Sequence, residues 1–312
     1  MRPCCRMAVV LLSAAVLLLL VAAWPRTAPR PEIDRVWHVQ VVAHRGGLIE
    51  RPDSTLAAYD HAVAVGADWL ELDIHLSADG VPVIIHDETV DRTTNGHGRV
   101  DELTLADLRR LDAAYRWPED IPKTERPFAS ADTRNDWRGS GLTMLSLDEF
   151  LDRYRTQRLM IEIKPPGETA VEAVLAVLEQ YGRKPSVIIA SFHQDTIDAV
   201  RGRSPEIATV ASPAEARRFV LLANLGLARF WPRTADALAL PPTMGQRTLL
   251  NARVVDAARR HGVPLHVWTI NDPEQWDQLI DLGVDGILTD RPEALMAHLQ
   301  TRRLAPIDRN DR

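Results

Sequence analysis

The sequence predicts an α/β fold, an irregular (β/α) barrel built mainly from parallel strands. Three observations carry that expectation. From about residue 38 to residue 300, short apolar runs alternate with amphipathic stretches, the pattern of a parallel sheet wrapped by helices. The chain has 312 residues, and after the ends are set aside the remainder suits one barrel of roughly 250 residues. One join between two strand candidates, Ser77-Ala78-Asp79-Gly80, is too short for a parallel crossover, so the barrel cannot be eight uniform units.

In chain order, Val39 to Ala43 is the first strand candidate. Thr55 to Val65 fits a helix, with Asp53 or Ser54 as its cap. Trp69 to Leu76 and Val81 to His86 are strands, and Asp79-Gly80 between them is a hairpin signal, so they should be antiparallel neighbours. Residues 88–146 lack periodicity and contain Asn95-Gly96, Trp117-Pro118 and Gly139-Ser140-Gly141. They read as an insertion, either a cap loop or a small subdomain. Leu159 to Lys164 is a strand and Thr169 to Tyr181 a helix. Ser186 to Ala190, Ile207 to Ala211, Ala237 to Leu240, Leu265 to Ile270 and Gly286 to Leu288 complete the strands. Helical patterns at 193–202, 213–225, 248–261 and 273–282 separate most of them.

The ends differ from the body. Met7 to Trp24 is an apolar run interrupted only by Ser13 and preceded by Arg2 and Arg6, which reads as a secretory signal or an uncleaved membrane anchor. Residues 25–37 are a Pro/Arg linker, 38–300 the barrel, and 301–312 a polar tail. In either reading the barrel is extracytoplasmic, secreted or membrane-tethered. The only cysteines, Cys4 and Cys5, precede the apolar run, which leaves the barrel without disulfides, thiolate metal sites or a cysteine nucleophile. A net charge of −6 argues against nucleic acid as a partner, so an anionic substrate must be attracted by local chemistry.

Candidate chemistry lies at strand ends. His44-Arg45-Gly46-Gly47 follows the first strand, where a barrel places catalytic groups; the glycines would also suit a plain turn. In Leu70-Glu71-Leu72-Asp73-Ile74 the two carboxylates share one strand face. On a half-exposed sheet that is a solvated face; inside a barrel it requires a cation or other partners. A hairpin register with Leu76 opposite Val81 puts Glu71 opposite His86 and Asp73 opposite Ile84, bringing His86 to the carboxylate face, whereas a slip of one residue reverses the face. Asp87 then orients the imidazole or caps the next turn. Glu162 and Lys164 share a face of another apolar strand. Three carboxylates offering oxygen ligands suit Mg²⁺ or Ca²⁺ better than zinc. Arg45 and Lys164 beside them suit phosphoryl oxygens, and two histidines suit acid/base work.

These residues, with Gly66-Ala67-Asp68, Asp79-Gly80, His86-Asp87, Asp91-Arg92-Thr93-Thr94, Ser191-Phe192, Trp268-Thr269-Ile270-Asn271 and Asp285-Gly286-Ile287-Leu288-Thr289-Asp290, resemble the glycerophosphodiester phosphodiesterase family over about residues 38–300. The resemblance implies a TIM-type barrel with an insertion after the His86 strand. It also implies His44 and His86 as the acid/base pair, Glu71, Asp73 and Glu162 as divalent-metal ligands, and Arg45, Lys164 and Trp268 as phosphate or substrate binders. The implied reaction is hydrolysis of a glycerophosphodiester to glycerol 3-phosphate and an alcohol. Lysophospholipase D-like action on membrane lysophospholipids is the alternative, and a non-catalytic phosphodiester-binding barrel a further one. One departure stands out: Pro52-Asp53-Ser54-Thr55 replaces the family's usual Pro-Glu-Asn-Thr, which puts the support of the His44-Arg45 loop in question.

Overall fold

The structure, a computed structural model, describes residues 39–124 and 137–302. The apolar run, the linker, both cysteines and most of the polar tail lie outside the described residues. No helix among the described residues is long and apolar enough to cross a membrane.

Eight strands run parallel in chain order around the sheet: β1 (Gln40–Ala43), β2 (Trp69–Leu76), β5 (Arg158–Ile163), β6 (Val187–Ala190), β7 (Ala208–Thr209), β8 (Leu238–Leu240), β11 (Leu265–Val267) and β12 (Gly286–Thr289). A parallel bridge between Val210 and Ala237 joins the β7 and β8 edges, so the sheet closes on itself. This is the irregular TIM-type barrel that the alternating pattern implied. Most strand residues are buried on both faces, as a sheet covered inside and out requires. Val42, Trp69, Met160, Ile188, Ala208 and Leu288 fill the interior, while Val41, Leu70, Leu72 and Ile161 face the surrounding helices.

The helices are α1 (Leu56–Ala64), α2 (Leu105–Leu108), α3 (Leu147–Arg153), α4 (Glu168–Gln180), α5 (Gln194–Arg203), α6 (Pro213–Asn224), α7 (Ala252–His261), α8 (Pro273–Leu282) and α9 (Pro292–Thr301). Their ends follow local chemistry. Ser146 with Glu149 and Ser212 with Glu215 form capping boxes, and Gly262 and Gly283 end α7 and α8 in left-handed conformation. Thr55, not Asp53 or Ser54, caps α1, because the two earlier residues are drawn into side-chain contacts of the first loop. Sequence periodicity does not reveal α9. It begins α7 too early, since a short hairpin of β9 (Thr243–Met244) and β10 (Arg247–Thr248) precedes that helix.

β2 and β3 (Pro82–Ile84) are antiparallel, as the short join requires, but the register corrects the sequence reading. Leu76 faces Pro82 and Ile74 faces Ile84, one residue away from the pairing that set Glu71 opposite His86. Val81 stays in the turn, where Ser77 N–H donates to its carbonyl at 3.0 Å. β3 ends at Ile84, so His86 reaches the mouth on a loop and not by strand alternation. β4 (Leu145–Ser146) pairs with β3, and the insertion has its own core of Val83, Ile85, Val90, Val100, Leu108, Ala113 and Met144. It is therefore a small packed layer. Trp117 ties it to the first loop by donating its indole N–H to the Leu48 carbonyl at 2.9 Å.

At the amino end of the barrel one device recurs. The carboxylates of Asp68, Asp236 and Asp285, each just before or at a strand start, accept the N–H of Val41, Thr209 and Leu265 in the preceding strand at 2.8–2.9 Å. The floor is closed by His266, whose Nε2 lies 2.8 Å from Gln40 Oε1, packed over Gly286. A Cβ on Gly286 would stand 2.2 Å from the His266 ring. Gly286→Ala is therefore expected to destabilise the fold by about 1–3 kcal/mol, the usual cost of overpacking, measured by urea unfolding. A variant as stable as the parent would show that the floor yields without cost.

Candidate active site

The first loop folds tightly after β1. Arg45, Gly46 and Gly47 have φ of +52°, +82° and +112°. The glycines are required by space as well: a Cβ on Gly46 would lie 2.7 Å from that of Ala58, and one on Gly47 would lie 2.8 Å from the Pro292 ring. The loop is thus wedged between α1 and α9, with His44 and Arg45 turned toward the carboxyl mouth.

Trp69, Glu71 and Asp73 alternate on the inner face of β2, and Asp73 lies beside Glu162 of β5 in register. Carboxylate oxygens of Glu71, Asp73 and Glu162 all lie within 4.8 Å of one another. Asp73 is buried between two cations, with Lys164 Nζ 2.8 Å from Oδ1 and Arg45 Nε 3.1 Å from Oδ2. Lys164 also sits 2.8 Å from Glu162 Oε1. Glu71 accepts the Arg45 backbone N–H at 2.9 Å. Burial, then the Asp73 charge, push the Glu71 carboxyl well above the usual range. Asp73 is also penalised by burial, but Arg45 and Lys164 outweigh that and hold it below its ordinary value.

This donor set fits a divalent cation. Three carboxylates, two of them buried, face two basic side chains, and the excess negative charge falls on Glu71 and Glu162, whose ionisation burial and the Asp73 charge oppose. The ligands are all oxygen, as Mg²⁺ or Ca²⁺ prefers. A second cluster, Glu50, His61 and Glu293, also brings its atoms within 4.8 Å. Glu50 there has a structural role, accepting the Glu293 and Ala294 N–H groups at the start of α9.

Both histidines lie near enough to act on the carboxylates, His44 on Glu71 and Asp73, His86 on Asp73 and Glu162. Each has a carboxylate at Nδ1: Asp290 Oδ1 at 2.7 Å for His44 and Asp87 Oδ1 at 2.7 Å for His86. That contact takes an Nδ1–H donor and leaves Nε2 for other partners. Burial and Arg45 oppose a charge on His44, but Asp290 and Glu71 outweigh them and raise its pKa. Asn271 steadies Asp290 by donating to Oδ2 at 2.8 Å. Trp268 is half-buried at the barrel mouth, edge to face with the exposed Phe192 at 6.1 Å between ring centroids.

The structure therefore brings together His44, His86, Glu71, Asp73, Glu162, Arg45 and Lys164, with Trp268 on the rim. Sequence reasoning quoted Asp290, Asn271 and Arg92 within motifs but gave them no task. Strand ends alone do not show that Asp290 lies beside His44; that follows from the β1–β12 pairing, in which Ala43 faces Thr289. Asp87 orients His86, one of the two readings left open for it. The substitution at Asp53-Ser54 does not unsupport the loop. Asp53 is buried, accepts from Arg92 at 2.8 Å, lies 3.6 Å from Arg45 and takes the Ser54 hydroxyl at 2.6 Å.

Residues 44–294 match the model of the glycerophosphoryl diester phosphodiesterase family. A glycerophosphodiester phosphodiesterase of Caldanaerobacter subterraneus subsp. tengcongensis is 32% identical over 263 residues, covering 82% of this chain and 96% of that protein. A lysophospholipase D of Rattus norvegicus is 24% identical, covering 83% and 85%. The structure of an Oleispira antarctica phosphodiesterase in complex with the product sn-glycerol-3-phosphate superposes with a TM-score of 0.65 at 25% identity, covering 85% and 98%. The chain belongs to the glycerophosphoryl diester phosphodiesterase family, whose members are phosphoric diester hydrolases.

Proposed function

We propose that the chain hydrolyses glycerophosphodiesters to glycerol 3-phosphate and an alcohol, using His44 and His86 as the proton-transfer pair. The observation that carries this reading is the paired arrangement of the imidazoles. Each is backed by a carboxylate at Nδ1, and both act on a cluster of three carboxylates that is paired with two cations. Arg45 and Lys164 bind and orient the phosphoryl oxygens. One Nε2 accepts the proton of the attacking oxygen, either water itself or a glycerol hydroxyl whose cyclic diester water then opens, and the other gives a proton to the departing alcohol oxygen. Glu71, Asp73 and Glu162 hold the divalent cation, which when bound supplies charge neutralisation at the phosphoryl group. Trp268 forms part of the substrate pocket wall. A barrel that only bound phosphodiesters would have no need of two carboxylate-backed imidazoles.

We also propose that Met7–Trp24 places the barrel outside the cytoplasm, released or tethered. The chain enters β1 at the amino end of the barrel, whereas the site opens at the carboxyl end. The likeness to a lysophospholipase D favours lysophospholipids as the second reading.

Hydrolysis of glycerophosphocholine, compared with lysophosphatidylcholine, tests the substrate. Faster turnover of the lysolipid would move the assignment to the second reading. Exhaustive chelation should abolish activity and Mg²⁺ or Ca²⁺ should restore it; an enzyme indifferent to chelation refutes the carboxylate assignment. His44→Ala and His86→Ala should each lower kcat by about 10²–10⁴-fold with the fold retained. Near-parental turnover in either would make that histidine structural. Fractionation and N-terminal sequencing of the full-length product should find it with membranes or beginning near Trp24. Intact chain only in the soluble cytoplasmic fraction would refute export.

A further inference from the structure

Arg92, in the insertion, is held by groups from two other parts of the mouth. Its Nε donates to Asp87 Oδ2 at 2.6 Å and its Nη2 to Asp53 Oδ2 at 2.8 Å. Asp87 is the carboxylate behind His86, through its other oxygen. Asp53 lies 3.6 Å from the Arg45 guanidinium, and Ser54, next to it, donates its backbone N–H to the Arg45 carbonyl at 3.0 Å. One planar fork therefore spans the residues that back two separate groups of the site, one on the loop after β3 and one on the loop after β1.

The surrounding charges support this division. Burial opposes ionisation of Asp53, but Arg92 and then Arg45 outweigh it and hold the carboxyl low. A third carboxylate, Asp120, stands 3.7 Å from Arg92 Nη1, and burial with the Asp53 charge pushes it up to about 7. Arg92 is thus committed first to Asp53 and Asp87. Its own segment is anchored, with the Thr94 hydroxyl donating to the Val90 carbonyl at 2.8 Å.

We propose that Arg92 is a positioning residue that holds His86 and Arg45 at a fixed separation across the barrel mouth, by gripping Asp87 behind the one and Asp53 behind the other. The proposal rests on the roles given above to His86 and Arg45. A lysine would not replace it, because a single ammonium does not reproduce the fork that reaches both carboxylates in fixed geometry.

The test is steady-state hydrolysis of glycerophosphocholine by the full-length chain with saturating divalent cation, for Arg92→Ala, Arg92→Lys, Asp87→Asn and Asp53→Asn. Both Arg92 variants should lose about 10–100-fold in kcat, the scale of lost outer partners at other sites, and raise KM. Asp87→Asn should reproduce chiefly the kcat loss and Asp53→Asn chiefly the rise in KM. The deciding measurement is a cycle with His86→Ala: if Arg92 acts through His86, adding Arg92→Ala or Arg92→Lys should lower kcat by less than about threefold more, because interacting positions are not additive. Losses that multiply in full in the His86→Ala background, or an Arg92→Lys enzyme with parental kcat and KM, would overturn the proposal. Should Arg92→Ala fail to fold, the Arg92→Lys cycle decides alone. A parent enzyme that hydrolyses no glycerophosphodiester would instead overturn the functional reading beneath it, an outcome distinct from failure of the cycle.

Discussion

Asp73 held between Arg45 and Lys164 is the contact on which the rest of the mouth depends. A carboxylate this deeply buried is tolerated only when its charge is matched, and deleting one partner of a buried pair costs about 3–5 kcal/mol. The two partners come from different strands' ends, so the pair also fixes where those ends sit. Arg45 adopts positive φ to reach Asp73, a conformation unfavourable for a side chain of its size. Its ion pairs and the two glycines after it offset that strain. With Arg45 placed, its backbone N–H fixes Glu71, and with Lys164 placed, Glu162 follows. The carboxylate trio is thus assembled by two residues, Lys164 joining Asp73 to Glu162 and Arg45 holding Asp73 by its side chain and Glu71 by its backbone.

The two ends of the barrel use acidic residues in different ways. At the amino end, Asp68, Asp236 and Asp285 each accept a backbone N–H of the preceding strand, and none is part of the mouth. There the carboxylates secure strand order and the floor is packed by His266 against Gly286. At the carboxyl end the carboxylates face one another and gather cations. This is the separation of stability from chemistry that parallel barrels make available, since loops at the carboxyl ends are free of the sheet's hydrogen bonding.

That division explains what was legible in the residues alone. Period-2 patterning and strand ends located Glu71, Asp73, Glu162 and Lys164, because strand geometry carries each side chain to a predictable face. The length of the Ser77–Gly80 join sufficed to infer an antiparallel arm. Its register was beyond reach because Val81 could belong to the turn or to the strand, and the local Ser77 bonds that keep it in the turn leave no mark on the hydrophobic pattern. Helix α9 has little periodicity and is held by packing and by Glu50, more than 240 residues earlier in the chain. Asp290 beside His44 arises from closure of the barrel between its first and last strands, a contact with no local sequence signal.

Closure also makes the two histidines unequal. His44 is bound to the barrel itself: its Asp290 sits at the end of β12, is braced by Asn271, and is carried by a strand paired with β1. His86 stands on the loop that leads from β3 into the inserted layer; its Asp87 is the adjacent residue and is braced by Arg92 from that insertion. The side chain of His86 is 33% exposed against 15% for His44. Motion of the insertion relative to the barrel would therefore displace one imidazole and leave the other in place. The insertion is held against the first loop by Trp117 on Leu48 and Arg92 on Asp53. On the proposed roles, the barrel carries the carboxylate trio and one imidazole, while the small layer above it braces the second through Arg92 on Asp87.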